Sequence, residues 1–175
     1  MTEMQNVLPS IAALAVASAA CATDIRNRRI PNILTFGAAA AAVAYGALTG
    51  GAGGVATAGA GWLAGTLIFL PFFLLRGMGA GDVKLLAALG AWLGPGAVLV
   101  IALYTSIAGG VMALGVALGR GYLRTALANI TGLLRFWSVA GLRPAEGLTL
   151  ETSTSPKLPY AIPLLAGTVA SLWLR

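Results

Sequence analysis

Long apolar stretches alternate with short polar or glycine-rich segments along the whole chain. A helix that crosses about 30 Å of hydrocarbon needs about 20 mostly apolar residues. Six stretches approach that length and predict membrane-spanning helices over about residues 7–23, 32–49, 55–75, 82–93, 97–118 and 159–174. Glycine-rich turns at 50–54 and 94–96 divide neighbouring stretches. The fourth stretch is short for a full crossing, so we expect it to tilt or to begin within the bilayer boundary.

The segment between the fifth and sixth stretches has a different pattern. Its arginines lie too close together to leave a spanning run, and its apolar residues recur at helical spacing. This predicts an amphipathic helix on the membrane face, with an ordinary folded loop as the alternative. The polar segment 143–156 that follows is predicted to be a mobile loop. The apolar positions are Leu123, Leu127, Ile130, Leu133, Leu134 and Trp137.

Composition excludes several classes of protein. With 58% apolar and only 9% charged residues, the chain cannot solvate the surface of a soluble globular enzyme, and it resembles neither a disordered chain nor a nucleic-acid-binding module. It has one cysteine and no histidine. A disulfide framework, a Cys/His metal site and histidine-based acid–base chemistry are therefore excluded.

The basic residues predict the orientation in the membrane. Every lysine and arginine except Arg175 falls in the regions after the first, third and fifth stretches, which lie on one side if there are six crossings. Because cytoplasmic loops carry an excess of Lys and Arg, this side is predicted to be cytoplasmic and both termini to lie outside. The predicted fold is thus all-α: a polytopic bundle of about six transmembrane helices with a cytoplasmic amphipathic helix between the fifth and sixth.

Two of the five acidic residues lie where apolar helices are predicted to meet the cytoplasmic boundary. Asp24 follows the first stretch, and Asp82 begins the fourth. An ionisable group at membrane depth is costly and marks a functional candidate. Two carboxyl groups that approach within a few ångströms share one proton, so one can hydrogen-bond a peptide carbonyl while the other takes a proton from water. This is the chemistry of aspartic peptide hydrolysis.

Each of these residues also has a purely structural interpretation. Asp82 could be only a helix cap, and Asp24 only a salt-bridge partner of the nearby arginines. Lys84 would mark the cytoplasmic boundary, and Cys21 would pack as an apolar residue. The spacing of close helix–helix contacts occurs at Gly61 and Gly65 and at Gly115 and Gly119.

Two motifs resemble those of the type IV prepilin peptidases. Residues 24–32, DIRNRRIPN, look like the first aspartate motif of that family. Residues 79–85, GAGDVKL, are similar to its second motif, Gly-x-Gly-Asp followed by Val-Lys. Residues 157–163, KLPYAIP, resemble the start of the family's last helix. The resemblance thus covers nearly the whole chain, in the same order.

The resemblance implies an intramembrane aspartic endopeptidase of the bacterial inner membrane. Such an enzyme cleaves the short basic leader of a prepilin or pseudopilin at the cytoplasmic face. Asp24 and Asp82 would be the catalytic pair, and neither a metal ion nor another cofactor is expected. The other matched motif or substrate-binding positions are Gly79, Gly81, Arg28, Arg29, Pro31, Asn32 and Lys84.

One departure from the larger members of that family bears on a second activity. Those members carry an N-terminal domain with four zinc-binding cysteines and also N-methylate the new terminus. Here the first apolar stretch begins close to Met1, and Cys21 stands alone. The chain therefore looks like the short, peptidase-only form of the Flp/Tad pilus type, with one membrane peptidase domain over 1–175 and no methyltransferase domain.

Two other function classes are compatible with the apolar composition. A small transporter would use the two aspartates to relay protons or bind a cation, although neither mid-membrane ionisable groups nor an internal repeat is evident. A structural membrane subunit would leave the two motifs as coincidence. The partners expected of the peptidase are its prepilin or pseudopilin and membrane lipid, without nucleic acid, and the oligomeric state is left open.

Overall fold

The computed structural model describes residues 2–145 and 158–174, and within these ranges the chain is all-helical. Of the five helices found in these two ranges, three are long and apolar enough to cross a membrane, over Val7–Asn27, Asn32–Leu74 and Ala80–Gly119, and the last of the five is apolar but shorter. A helical membrane protein is therefore the right class. The helices are α1 (Thr2–Asn27), α2 (Asn32–Leu74), α3 (Ala80–Gly119), α4 (Leu123–Ala140) and α5 (Ala161–Trp173).

Helix α2 is broken near its middle and folds back on itself. Gly51 has φ 57° and ψ −137°, a conformation that is essentially restricted to glycine. A Cβ atom built on Gly46 would lie 2.7 Å from the carbonyl oxygen of Gly54. Eight residues of a straight helix span about 12 Å, so this approach requires two antiparallel arms. The break falls inside the predicted turn at 50–54.

Helix α3 is broken in the same way. Gly94 has φ 83° and ψ 170°, and Pro95 follows it. A Cβ atom on Gly90 would lie 3.1 Å from Cγ2 of Val98, again across eight residues. This break falls inside the predicted turn at 94–96. Both long helices are thus hairpins whose two ends lie at the same end of the bundle.

The second arm of α2 packs directly on the first arm of α3. A Cβ atom on Gly61 would overlap the backbone of Gly90, and one on Gly65 would lie 2.6 Å from the carbonyl oxygen of Leu86. The predicted contact role of Gly61 and Gly65 is therefore confirmed. The same prediction for Gly115 and Gly119 is wrong for the described part of the chain, where a Cβ atom at either position would meet nothing within 4 Å.

The first arm of α3 lies at the centre of the bundle. Its Leu85, Leu86 and Leu89 are fully buried. Gly167 of α5 packs against the other arm of α3, where a Cβ atom would overlap Oγ1 of Thr105. Apolar side chains also cover the outer surface, as expected of helices that face lipid. The exposed group includes Leu67, Leu99, Leu103, Ile107 and Val111.

Helix α4 forms where the amphipathic helix is predicted, and none of its residues is buried. The polar segment that follows lies largely outside the described residues. So do Glu146, Glu151, Lys157 and Arg175.

Candidate active site

Asp24 lies in the last turn of α1 and is buried, with 8% of its surface exposed. The helix ends at Asn27 because Arg28 adopts a left-handed conformation, with φ 52°. The N–H of Arg28 donates to the carbonyl oxygen of Asp24 at 2.9 Å. The chain then turns sharply, and Pro31 caps the start of α2. The turn 28–31 consequently lies close to the Asp24 side chain.

Asp82 is the third residue of α3, three positions after the N-cap Gly79. Its N–H donates to the carbonyl oxygen of Gly79 at 3.2 Å. Its carboxylate accepts a hydrogen bond from the backbone N–H of Gly79, which is the half of a capping box that the side chain at the third helical position supplies. The first turn of a helix favours a carboxylate because its backbone N–H groups are unpaired there. Asp82 thus lies near the N-cap of α3, as the sequence predicts, but it occupies the third helical position and not the cap itself.

Both aspartates line the same cavity, which has a volume of about 590 Å³. They are the only aspartates in the sequence, and their carboxyl groups lie within electrostatic range of each other. The cavity forms where α1 ends and where α2 and α3 begin. Its other lining residues are Asn27, Arg28, Arg29, Ile30, Pro31, Asn32, Gly79, Ala80 and Gly81.

The two motif glycines make room for this arrangement. A Cβ atom on Gly79 would lie 3.1 Å from Oδ2 of Asp82. A Cβ atom on Gly81 would lie 3.2 Å from Cβ of Ile30, in the turn after α1. Both separations are tighter than the usual contacts of a Cβ atom. The glycines therefore allow the start of α3 to approach both its own aspartate and the first motif.

Lys84 stands apart from the other candidates, because it does not line the cavity. Its Nζ donates to Oδ1 of Asn32 at 2.9 Å and lies 5.3 Å from the ring centroid of Phe36. The geometry is that of a hydrogen bond with a cation–π contact. Lys84 thus joins the first turns of α2 and α3, which carry the two motifs.

The start of α5 also reaches the site, which the sequence reasoning missed. The N–H of Ala161 donates to Oδ2 of Asp24 at 3.3 Å, and the contact is buried. The preceding Tyr160 packs edge-on against Phe69, with ring centroids 6.2 Å apart. Its hydroxyl group lies within electrostatic range of Asp82. The available signal in the sequence is the KLPYAIP segment, whose resemblance to the start of the family's last helix assigns no role to its residues.

The cavity therefore holds two carboxyl groups that differ in their hydrogen-bond donors. Asp24 accepts from the N-terminus of α5, and Asp82 from the N-terminus of α3. Such a pair can take a proton from a water molecule with one group and hydrogen-bond a carbonyl oxygen with the other. Within the described ranges, no three acidic, cysteine or histidine side chains are grouped so that they could hold a metal ion.

Comparison with protein families gives a match over more than half of the chain. The model of the type IV leader peptidase family matches residues 11–114, a range that includes both aspartates and both motifs. The range ends before α4 and α5, so Tyr160 and Ala161 lie outside it.

Individual relatives match over a shorter segment. A prepilin leader peptidase/N-methyltransferase of Aeromonas hydrophila is 46% identical over 66 residues, and one of Aeromonas salmonicida is 44% identical over 66 residues. Each match covers 36% of this chain and 23% of the relative. The chain therefore aligns with about a quarter of the length of these relatives. No solved structure matches it.

Proposed function

The chain belongs to the type IV leader peptidase family, and we propose that it is an intramembrane aspartic endopeptidase with Asp24 and Asp82 as its catalytic pair. The observation that carries this proposal is the shared cavity of the only two aspartates in the sequence. Residues 58 positions apart meet there because α2 is a hairpin that returns the chain to the end at which α1 stops. The acid–base chemistry open to this pair requires neither histidine nor metal.

In the proposed reaction, the two carboxyl groups share one proton. The ionised group removes a proton from a water molecule as its oxygen attacks the peptide carbonyl carbon, while the protonated group donates to the carbonyl oxygen. The tetrahedral intermediate then collapses. The C–N bond breaks, the leaving nitrogen receives a proton, and a carboxylic acid and an amine are released.

Three backbone or side-chain contacts would keep the pair in place during this reaction. The amide of Ala161 orients Asp24, and the amide of Gly79 orients Asp82. The hydrogen bond between Lys84 and Asn32 fixes the distance between the helices that carry the motifs. We therefore assign Lys84 and Asn32 a positioning role. Arg28, Arg29 and Pro31 lie on the cavity wall, where they would contact the substrate.

The substrate we propose is a prepilin or pseudopilin. A cavity of about 590 Å³ accommodates a few residues of an extended peptide but not a folded domain. The exposed apolar faces of the bundle suit a substrate whose cleaved segment is followed by an apolar helix in the same membrane. The relatives' names support this substrate class.

The proposed topology has six crossings, with both termini outside the cytoplasm. The crossings are α1, two arms each of α2 and α3, and α5. The cations after the first and third predicted stretches, Arg26, Arg28, Arg29, Arg76 and Lys84, would then lie on the cytoplasmic side of a bacterial inner membrane. Helix α4 would lie on the same face.

The transporter alternative receives no support from the position of the aspartates. Asp24 lies three residues from the end of α1, and Asp82 is the third residue of α3. Neither lies at the middle of a helix, where an ion-coupling site near the bilayer centre would be expected.

Co-expression with a candidate prepilin tests the catalytic assignment. Asp24→Asn and Asp82→Asn should each lower the rate of leader removal at least about a hundredfold, because each removes one half of the acid–base pair. The rate is measured by the shift of the pilin on a gel. Glu151→Gln is the control, since it removes a carboxylate outside both motifs and should leave cleavage unchanged.

Normal processing by either aspartate variant, with the protein inserted at wild-type level, would contradict the assignment. The mass of the new pilin N-terminus, measured in the same experiment, shows whether that N-terminus is methylated. The absence of methyltransferase activity stays a prediction, and a methylated product formed by this polypeptide alone would contradict it.

A further inference from the structure

Helix α4 exposes an apolar stripe that no part of the described chain covers. The α4 stripe consists of Leu127, Ile130 and Leu134, which are 54%, 55% and 59% exposed. At 100° per residue these three side chains fall within a narrow sector of one helix face. Leu133 and Trp137 lie at the side of this sector and are partly buried.

Two arginines border the α4 stripe on one flank. Arg124 and Arg135 are eleven positions apart, which brings them to nearly the same angle around the helix. Both are exposed. Arg120 and Arg143 lie just beyond the two ends of α4, and residues 120–145 contain no acidic side chain. The α4 stripe is therefore bordered by basic side chains along one flank and beyond both ends of the helix.

The position of α4 in the chain limits what can cover this surface. Helix α3, a candidate membrane span, ends at Gly119, and α4 begins at Leu123. A tight turn joins them, in which the N–H of Tyr122 donates to the carbonyl oxygen of Ala117 at 3.1 Å and Gly121 has φ 71°. Three connecting residues reach about 10 Å at most. Helix α4 thus begins at the level where α3 leaves the membrane.

We propose that α4 docks on anionic phospholipid headgroups of the leaflet at which α3 ends. The α4 stripe would enter the boundary between headgroups and acyl chains, and Arg124 and Arg135 would contact lipid phosphates, with their aliphatic stems along the same apolar boundary. This proposal rests on the six-crossing topology proposed above, which assigns that leaflet to the cytoplasm. It adds a requirement for negative charge in the lipid.

The test uses the full chain in nanodiscs that hold one copy each. In a Cys21→Ala background, a spin label is attached either at Leu127→Cys, in the α4 stripe, or at Thr125→Cys, on the opposite face of α4. The discs contain phosphatidylcholine alone or phosphatidylcholine with phosphatidylglycerol. Accessibility of the label to oxygen and to a water-soluble nickel complex reports its depth in the bilayer.

We expect the label at 127 to become shielded from the nickel complex and accessible to oxygen only in discs with phosphatidylglycerol. High salt should make it accessible to the nickel complex again. The label at 125 should stay accessible to the nickel complex throughout. Removing both arginines, by Arg124→Gln with Arg135→Gln, should lower the ratio of docked to undocked α4 about 25-fold, at about fivefold for each cation near a charged bilayer. The control pair, Arg26→Gln with Arg76→Gln, removes the same charge elsewhere and should keep the dependence on lipid.

Several results would overturn the proposal. Equal protection in both lipids would mean apolar docking without recognition of charge, and exposure of position 127 in both would mean no docking. Protection that requires a second copy in the disc, or an added prepilin, would assign the α4 stripe to a protein partner. None of these results affects the aspartate assignment, since leader cleavage is measured separately.

Discussion

Gly81 has little room for a side chain, because the start of α3 packs there against the turn that follows α1. An added Cβ atom would lie 3.2 Å from Cβ and 3.5 Å from Cγ1 of Ile30. The turn after α1 and the start of α3 carry the two aspartates, so a displacement here changes the distance between the carboxyl groups. A displacement of a few tenths of an ångström is enough to disturb a reaction that depends on their alignment.

We therefore expect Gly81→Ala to lower the rate of leader cleavage about tenfold with little change in thermal stability. Crowding of the new methyl group against Ile30 lowers the stability slightly, and the better helix propensity of alanine offsets this loss. Gly77→Ala is the matched control, because its Cβ atom would meet only the carbonyl oxygen of Phe72, at 3.5 Å. Cleavage kinetics in detergent compare the two. Equal rates for both variants would show that the contact with Ile30 has no bearing on the site.

At the scale of the elements, the closest contact is between the second arm of α2 and the first arm of α3. Gly61 and Gly90 bring two backbones together, and Gly65 repeats the contact one turn nearer to Asp82. Small residues allow such approach, and van der Waals packing is the main attraction between helices in lipid. This interface places the arm that carries Asp82.

Gly61→Ala should lower the stability of the folded bundle by about 1–3 kcal/mol, because the new methyl group overlaps backbone that cannot move aside easily. Gly59→Ala, two residues away, should be neutral or slightly stabilising, since a Cβ atom there meets nothing within 4 Å. Unfolding of both variants in mixed micelles measures the difference. A fully stable Gly61→Ala protein would contradict the close approach of the two arms.

The element pattern was largely predictable, and the reasons are local. Gly51 and Gly94 occupy backbone conformations that glycine alone adopts readily, so the glycine-rich turns in the sequence predict the breaks in α2 and α3. The periodicity of α4 is equally local. Helix contacts are less predictable. Gly115 and Gly119 have the same spacing as Gly61 and Gly65, but among the residues that the structure describes a neighbouring helix contacts Gly61 and Gly65 and not the other two.

The site was predictable only in part, for a related reason. Asp24 and Asp82 are rare residues in a chain of this composition, and their chemistry draws attention to them. The hydrogen bond from Lys84 to Asn32 joins residues 52 positions apart, and neither side chain indicates its partner. The Ala161 contact is harder still, since a backbone N–H group has no signature in the sequence.

At the scale of the whole molecule, the proposed topology predicts that the break of α2 and helix α4 are exposed on opposite sides of the membrane. In the Cys21→Ala background, Ala52→Cys at the break of α2 should react with a membrane-impermeant thiol reagent applied to spheroplasts. Thr125→Cys on α4 should react only after permeabilisation. The cation distribution is the reason, because it assigns the α4 side to the cytoplasm. The reverse pattern would invert the orientation, and equal labelling of both sites from one side would mean that the arms of α2 do not cross.

The contact between Ala161 and Asp24 has a consequence for biosynthesis. Both aspartates are synthesised before Ala161, the residue of α5 whose amide steadies Asp24 from 137 positions further along the chain. Until α5 inserts, the carboxyl group of Asp24 lacks this hydrogen-bond donor. A nascent chain without α5 would thus be held short of a complete site, and the proposed peptidase activity would begin only once this helix has inserted.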